Sequence, residues 1–297
     1  MQAYLDLIEK TLTQGTLIEN RTATAAYTML GGLIEHDMQK GYPLLTTKKM
    51  PFRTIATELE FFIKGRTDKK WLQERHCHIW DEWCNPKKVA HIEARDERIA
   101  RQRKEDDLGP IYGKQWRSFT STPTPPAQNP HSSTPNQNSP VAIDQLQNLI
   151  TELQKNPNSR RLLVSAWNPL DLPEMALPPC HVLFQVTVIE KTLSLTWFQR
   201  SADLMLGIPF NIASYALLLH LLAKESGYTE GKLIGMLSNI HIYENHRLAA
   251  EQQLERTPKP LPKITTPHFT SIFNWSYPDT HLQHYTHHPK IKLPIAI

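Results

Sequence analysis

Cysteine is scarce in this chain: Cys77, Cys84 and Cys180 are the only three. An odd trio supplies no disulfide framework and fits a reduced, cytoplasmic setting. Long apolar runs are missing as well, so no stretch reaches the length of a membrane span. Met1 to Lys10 mixes polar and apolar residues and lacks the plan of a secretory leader. Charge is nearly balanced, at +4 over 297 residues, which by itself gives no reason to expect nucleic acid as a partner. The stretch His76-Cys77-His78-Ile79-Trp80-Asp81-Glu82-Trp83-Cys84 crowds possible metal ligands. Neither the paired CxxC nor the HExxH spacing is there, so no metal site is expected. What the chain does have is 40% hydrophobic content, enough for one large core or two small ones.

Periodicity supplies the first elements. Tyr4, Leu5, Ile8 and Leu12 share one helical face, with Gly15 as a stop. Phe52, Ile55, Ala56, Leu59, Phe62 and Ile63 form a second stripe, and Glu58 lies beside it. A carboxylate in an apolar helix is costly unless it is hydrogen-bonded or functional. Ile143, Leu146, Leu149, Ile150 and Leu153 form a third stripe, and a strand follows over Leu162 to Trp167. Arg160-Arg161, just before that strand, reads on its own as a solvated edge. Pro86 to Asp107 mixes charges of both signs at helical spacing, the pattern of an exposed helix. Thr120 to Pro140 is Pro-, Ser-, Thr- and Asn-rich, and its composition predicts a surface loop without a core.

Chemistry concentrates between Met175 and Tyr243. Val182 to Val188 and Leu193 to Gln199 are β-rich runs joined by a hairpin-sized connection. Pairing them brings Pro178-Pro179-Cys180-His181 to the end carrying Gln199-Arg200-Ser201-Ala202-Asp203. A buried cysteine is the ordinary reading of Cys180. A cation nearby would make it a usable thiolate, and Arg200 is the candidate. Asn211 opens a long apolar helix to about Lys224, with Gly227 as a stop. Lys232 to Tyr243 reads as a strand, and Leu261 to Thr265 as a last one.

Pro-Cys-His, then Gln-Arg-Ser-x-Asp, then Leu-Gly-x-Pro-Phe-Asn-Ile-x-Ser-Tyr, then His-x-Tyr resembles the thymidylate synthase family. The resemblance covers nearly the whole chain as one domain, 1–297, apart from inserted segments at about 86–107 and 120–140. It implies an α/β fold of α+β type: a mixed sheet with helices on one face and a homodimer interface on the other. It implies reductive methylation of dUMP to dTMP with 5,10-methylenetetrahydrofolate and release of dihydrofolate. In that reading Cys180 adds to C6 of uracil, with Glu58, Tyr112, His181 and Arg200 as further catalytic residues. Arg21, Gln199, Arg200, Ser201, Asp203, Asn211, His241 and Tyr243 bind dUMP, joined by Arg160 and Arg161 of the second subunit. Asn211 suits the uracil edge because an amide both donates and accepts. Lys48, Ile79, Trp80, Asp203, Leu206, Gly207, Phe210, Ala296 and Ile297 meet the folate.

Departures from the family pattern are Ala23 and Ala25, where glycines are usual, and Ser238-Asn239, where Gly-Asp is usual. Two other readings of the chain stay open. One is a deoxypyrimidylate hydroxymethylase on the same scaffold, against which Asn211, Trp80 and Ile297 argue. The other is an RNA-binding or metal-dependent regulator, resting on the charged 86–107 stretch and the His76 to Cys84 cluster.

Overall fold

The computed structural model describes residues 1–20, 22, 24–120 and 141–294. Along the chain come α1 (Gln2–Gln14), β1 (Thr16–Ile18), β2 (Ala26–Asp37), α2 (Phe52–Ile63) and α3 (Lys69–Gln73). Then follow α4 (Arg95–Lys104), α5 (Tyr112–Ser118), β3 (Phe119–Thr120), β4 (Ala142–Ile143), α6 (Gln145–Lys155) and β5 (Leu163–Ser165). The last part holds β6 (His181–Ile189), β7 (Thr192–Asp203), α7 (Gly207–Ser226), β8 (Thr229–Tyr243), α8 (Arg247–Leu254), β9 (Lys263–Thr265) and β10 (His281–Gln283).

Six strands form one mixed sheet in the order β1-β2-β8-β7-β6-β5. All neighbours are antiparallel except β7 and β8. A parallel pair needs a long crossover, and α7 supplies it. That helix is buried from Ile208 to Ala223 except at Phe210, Asn211 and Ser214. It is apolar nearly all round because it lies inside the molecule rather than on it. Gly227 ends it in the left-handed region, φ 73°, where its N–H reaches the Ala223 carbonyl.

The expected hairpin is β6 and β7, with His181 opposite Gln199. The last expected strand is β9, which pairs with β10. The helix expected to begin at Asn211 begins at Gly207. Gly207 and Pro209 look like loop residues in sequence, yet proline is tolerated in a first helical turn, where its missing N–H loses no bond.

The two faces of the sheet differ. Ile34, Gly235, Trp197, Phe184 and Val164 are cross-strand neighbours on the face toward α7 and the core. Gly235 is required there, since a Cβ would stand 2.4 Å from the Trp197 ring. One residue along, Leu33, Met236, Phe198 and Leu183 are neighbours on the other face. Leu33 is 55% and Met236 50% exposed in the single chain.

The charged segment folds as α4, with no buried residue. Its base is closed by the Asn85 N–H donating to the Asp107 carbonyl at 2.7 Å. Buried Lys69 donates to the carbonyls of Asp81, Trp83 and Gln102. The second expected insertion, 120–140, lies outside the described residues apart from Thr120.

Candidate active site

A cavity of about 860 Å³ opens where β6, β7 and β8 end, and Cys180, Arg200, Ser201, His241 and Tyr243 all line it. Hairpin pairing and the parallel register bring them together. Arg200 N–H donates to the Cys180 carbonyl at 2.9 Å, Ser201 stands opposite Asn239, and Asp203 opposite His241.

The Arg200 side chain is itself anchored. Its guanidinium donates to the Pro178 and Pro179 carbonyls, both at 2.8 Å, and lies over the Trp167 ring at 5.2 Å. The two prolines before Cys180 are therefore held by the side chain of Arg200 itself. The Cys180 N–H donates to the Tyr112 hydroxyl at 2.8 Å.

The residues expected to handle protons, Glu58, Tyr112 and His181, gather around Phe62 of α2. The Tyr112 and His181 rings stack at 4.1 Å, and Trp80 meets Tyr112 edge-on at 6.3 Å. Phe62 touches Trp80, Tyr112 and His181. Glu58 lies four residues earlier on the same helical face and accepts from Trp80 Nε1 at 2.8 Å. Burial pushes the Glu58 carboxyl up to about 7, and the Trp80 bond only partly offsets it. Burial pulls His181 down to about 3, so its ring is neutral; its Nδ1 shares a 2.8 Å bond with the Tyr215 hydroxyl. Burial also raises Tyr112, helped by the neighbouring Cys180, and the phenol keeps its proton.

Asn211 is reached through a chain of amides. Trp197 Nε1 donates to Gln199 Oε1 at 3.0 Å, and Gln199 Nε2 donates to Asn211 Oδ1 at 2.9 Å. This fixes which way the Asn211 amide points and leaves its NH2 to donate elsewhere. Asp203 uses Oδ1 to accept from the Met205 and Leu206 N–H groups, at 2.9 and 3.1 Å. Lys48 is buried, with Nζ donating to the Met205 carbonyl. Burial brings it down to about 8, against the pull of Asp203. His241 Nδ1 and Asn239 Oδ1 share a 3.0 Å bond; burial lowers His241 while Asp203 pulls it back.

Ile79, Leu206, Gly207 and Phe210 are half-buried, while Trp80 is buried. Arg160 and Arg161 are exposed and do not line the cavity. Arg21, Ala23, Ala296 and Ile297 lie outside the described residues. Sequence reasoning did not name Trp167 or Tyr215 as site residues. Both are aromatics whose partners, Arg200 and His181, lie more than 30 residues away in the chain. Nor did it select Gln102, which carries α4 to the cavity wall. Among the described residues, no three His, Cys, Asp or Glu side chains gather to hold a metal. Among them too, no helix is long and apolar enough to cross a membrane.

A fixed thiol beside an arginine, a neutral imidazole, a phenol and a carboxyl titrating near neutrality suit nucleophilic addition followed by proton transfer. The thymidylate synthase family model matches residues 2–297. A thymidylate synthase of Mycoplasma pneumoniae is 42% identical over 308 aligned residues that span all of both chains. The chain belongs to the thymidylate synthase family, a family of methyltransferases.

Proposed function

We propose that this protein converts dUMP to dTMP through a covalent bond between Cys180 and C6 of uracil. The observation that carries this reading is the clamp at Cys180: the Arg200 side chain on Pro178 and Pro179, and the Tyr112 hydroxyl on the Cys180 N–H. C5 of uracil is a poor nucleophile. Addition of the thiolate at C6 moves an electron pair to O4 and makes C5 nucleophilic. C5 would take up the one-carbon unit and lose its proton, the bond from that carbon to the folate nitrogen would break, and with hydride added to the carbon the C6–S bond breaks and the Cys180 thiolate leaves. 5,10-Methylenetetrahydrofolate supplies both the one-carbon unit and the hydride, and departs as dihydrofolate.

The residues divide that work. Glu58, with its carboxyl near 7, holds both protonation states at neutral pH, as proton exchange around C5 and O4 requires. Tyr112 and His181 order that region as neutral hydrogen-bonding groups. Asn211, held by Gln199, reads the pyrimidine edge. Arg200, Ser201 and Arg21 meet the phosphate, where a guanidinium fork suits two oxygens at once. His241 and Tyr243 meet the sugar. The residues present fit a folate: Trp80 is pinned as a wall by its bond to Glu58, and Ile79, Leu206, Gly207 and Phe210 add apolar surface. Lys48 and Asp203 supply polar groups beside it. Ala296 and Ile297 would shut out water.

The apolar row on the open sheet face supports a homodimer. Arg160 and Arg161, exposed in the single chain, would then serve the partner's phosphate site. The whole chain, 1–297, acts in this reading as one catalytic domain.

The test is spectrophotometric turnover of dUMP with methylenetetrahydrofolate, with product separation. Dihydrofolate and dTMP formed in equal amounts is the expected result. A hydroxymethyl nucleotide, or no turnover, would overturn the assignment.

A further inference from the structure

We infer that Lys69 is a positioning residue that locks α4 and the turn carrying Trp80 and Trp83 into one wall of the active site. Lys69 opens α3 and is 1% exposed. Its Nζ donates to the carbonyls of Asp81 and Trp83, both at 3.1 Å, and of Gln102 at 2.8 Å. An ammonium has three N–H groups and accepts nothing, so three carbonyls use it completely. A neutral amine would leave one of them without a donor. Burial lowers the Lys69 ammonium, while Cys84 first, then Asp81, Asp106 and Glu105, pull it back up. The Gln102 carbonyl lies in the last turn of α4, where a helix offers its own carbonyls no partner. A cation there also meets the negative end of the helix dipole. A single side chain thus caps α4 and staples a separate turn to it.

Both joined parts reach the cavity, which Glu82, Trp83 and Gln102 line. Trp83 meets Trp80 edge-on at 6.2 Å, and its N–H donates to the Trp80 carbonyl at 3.2 Å. Trp80 in turn donates to Glu58. On its own α4 has little to hold it. It buries no residue, a helix of 10 residues is marginal in water, and its Arg103–Glu82 pair is exposed and contributes little. The Lys69 N–H donates to the Asp106 carbonyl at 2.8 Å, which sets the ammonium beside the end of α4. The effect on folate binding rests on the proposed function, in which Trp80 is the folate wall. The joint itself does not.

The experiment compares the full-length wild type with Lys69→Met, which keeps an unbranched chain and loses all three donors. The first readout is hydrogen exchange by mass spectrometry over 79–84 and 95–105. The second is KM for methylenetetrahydrofolate set against KM for dUMP. In Lys69→Met both segments should exchange about 10-fold faster and the folate KM should rise about 10-fold, the effect of losing one hydrogen bond to a charged group. KM for dUMP should stay within about twofold. If Lys69→Met does not fold, Ala100→Gly weakens an exposed position of α4 without touching the joint. It should give the same pair of changes at about 3- to 5-fold. Faster exchange confined to 95–105, with 79–84 unchanged, overturns the joint. So do KM values that move together or not at all, since a general loss of stability would not single out the folate. Absence of turnover in the wild type would instead sink the functional reading and leave the exchange data to decide the joint.

Discussion

The two faces of the six-stranded sheet are built from adjacent residues, yet they live in different solvents. Trp197 and Gly235 face α7 and are fully buried, while Phe198 and Met236, one position on, face outward. Alternation along a strand usually separates apolar from polar. Here it separates apolar from apolar. The inner row builds the site, because Trp197 orients Gln199 and Gln199 orients Asn211. The outer row has no such duty within one chain; in the proposed homodimer it would meet the second subunit. If the proposed homodimer forms, the sheet serves one active site from both faces, through hydrogen bonds on one and through a partner on the other.

Trp197→Ala should separate the faces most sharply. Removing a buried indole costs about 3–5 kcal/mol, and Gln199 loses the donor that orients it. Calorimetry should register the lost stability. In any folded fraction, selection of dUMP over dCMP should weaken. Met236→Lys on the opposite face should leave the circular dichroism spectrum intact but yield monomers by light scattering. Activity should fall on the order of 100-fold, since in the proposed dimer two charge-assisted contacts from Arg160 and Arg161, roughly 1.5–3 kcal/mol each, would depart with the partner. Mixing a Cys180→Ser chain with an Arg160→Ala, Arg161→Ala chain should recover activity that neither has alone. No recovery would show that the arginines serve their own subunit.

Glu58→Gln sharpens the inner side. Its carboxyl lies near 7 when folded and near 4.5 otherwise, so its proton favours the folded state. That stability is present below about pH 4.5 and is lost as pH rises through about 7. The wild-type melting temperature should therefore decline between pH 5 and 8 more than that of Glu58→Gln. Turnover in the variant should drop roughly 10²-fold or more and lose its inflection near neutrality.

The smallest effect is expected at α4. Arg103→Ala breaks an exposed ion pair with Glu82 at 2.9 Å. Such pairs contribute about 0–1 kcal/mol, so stability and turnover should barely move, and a large loss would show that α4 braces the cavity through this pair.

Much of this was legible in the sequence because the signals were local. The stripe Phe52 to Ile63, the β6–β7 hairpin and the Gly227 stop need only neighbours to be read. β2 went unread. Gly31-Gly32 resembles a turn, yet it lies inside a 12-residue strand. Gly32 is there because a Cβ would meet Ile240 Cδ1 at 2.4 Å, and Gly31 takes a positive φ of 70°. Neither demand can be seen without the facing strand. In the site, Glu58 was visible as a carboxylate in an apolar helix and Cys180 by its Pro-Pro-Cys-His setting, whereas Asn211 was picked out only by the resemblance to the family's motifs. The anchoring roles were not visible. Arg200 on Pro178 and Pro179, Lys69 on Gln102 and Tyr215 on His181 are contacts across 21 to 34 residues that pattern does not encode.

The central claim is a bond between Cys180 and C6 of uracil, and it can be weighed directly. 5-Fluoro-dUMP carries a C5 fluorine that cannot leave as a proton does, so the adduct formed with methylenetetrahydrofolate should accumulate. After denaturation and digestion, the peptide containing Cys180 should gain the mass of one nucleotide and one folate, and the Cys180→Ser protein should gain none. An unmodified Cys180 peptide, or the added mass on another residue, would contradict the account.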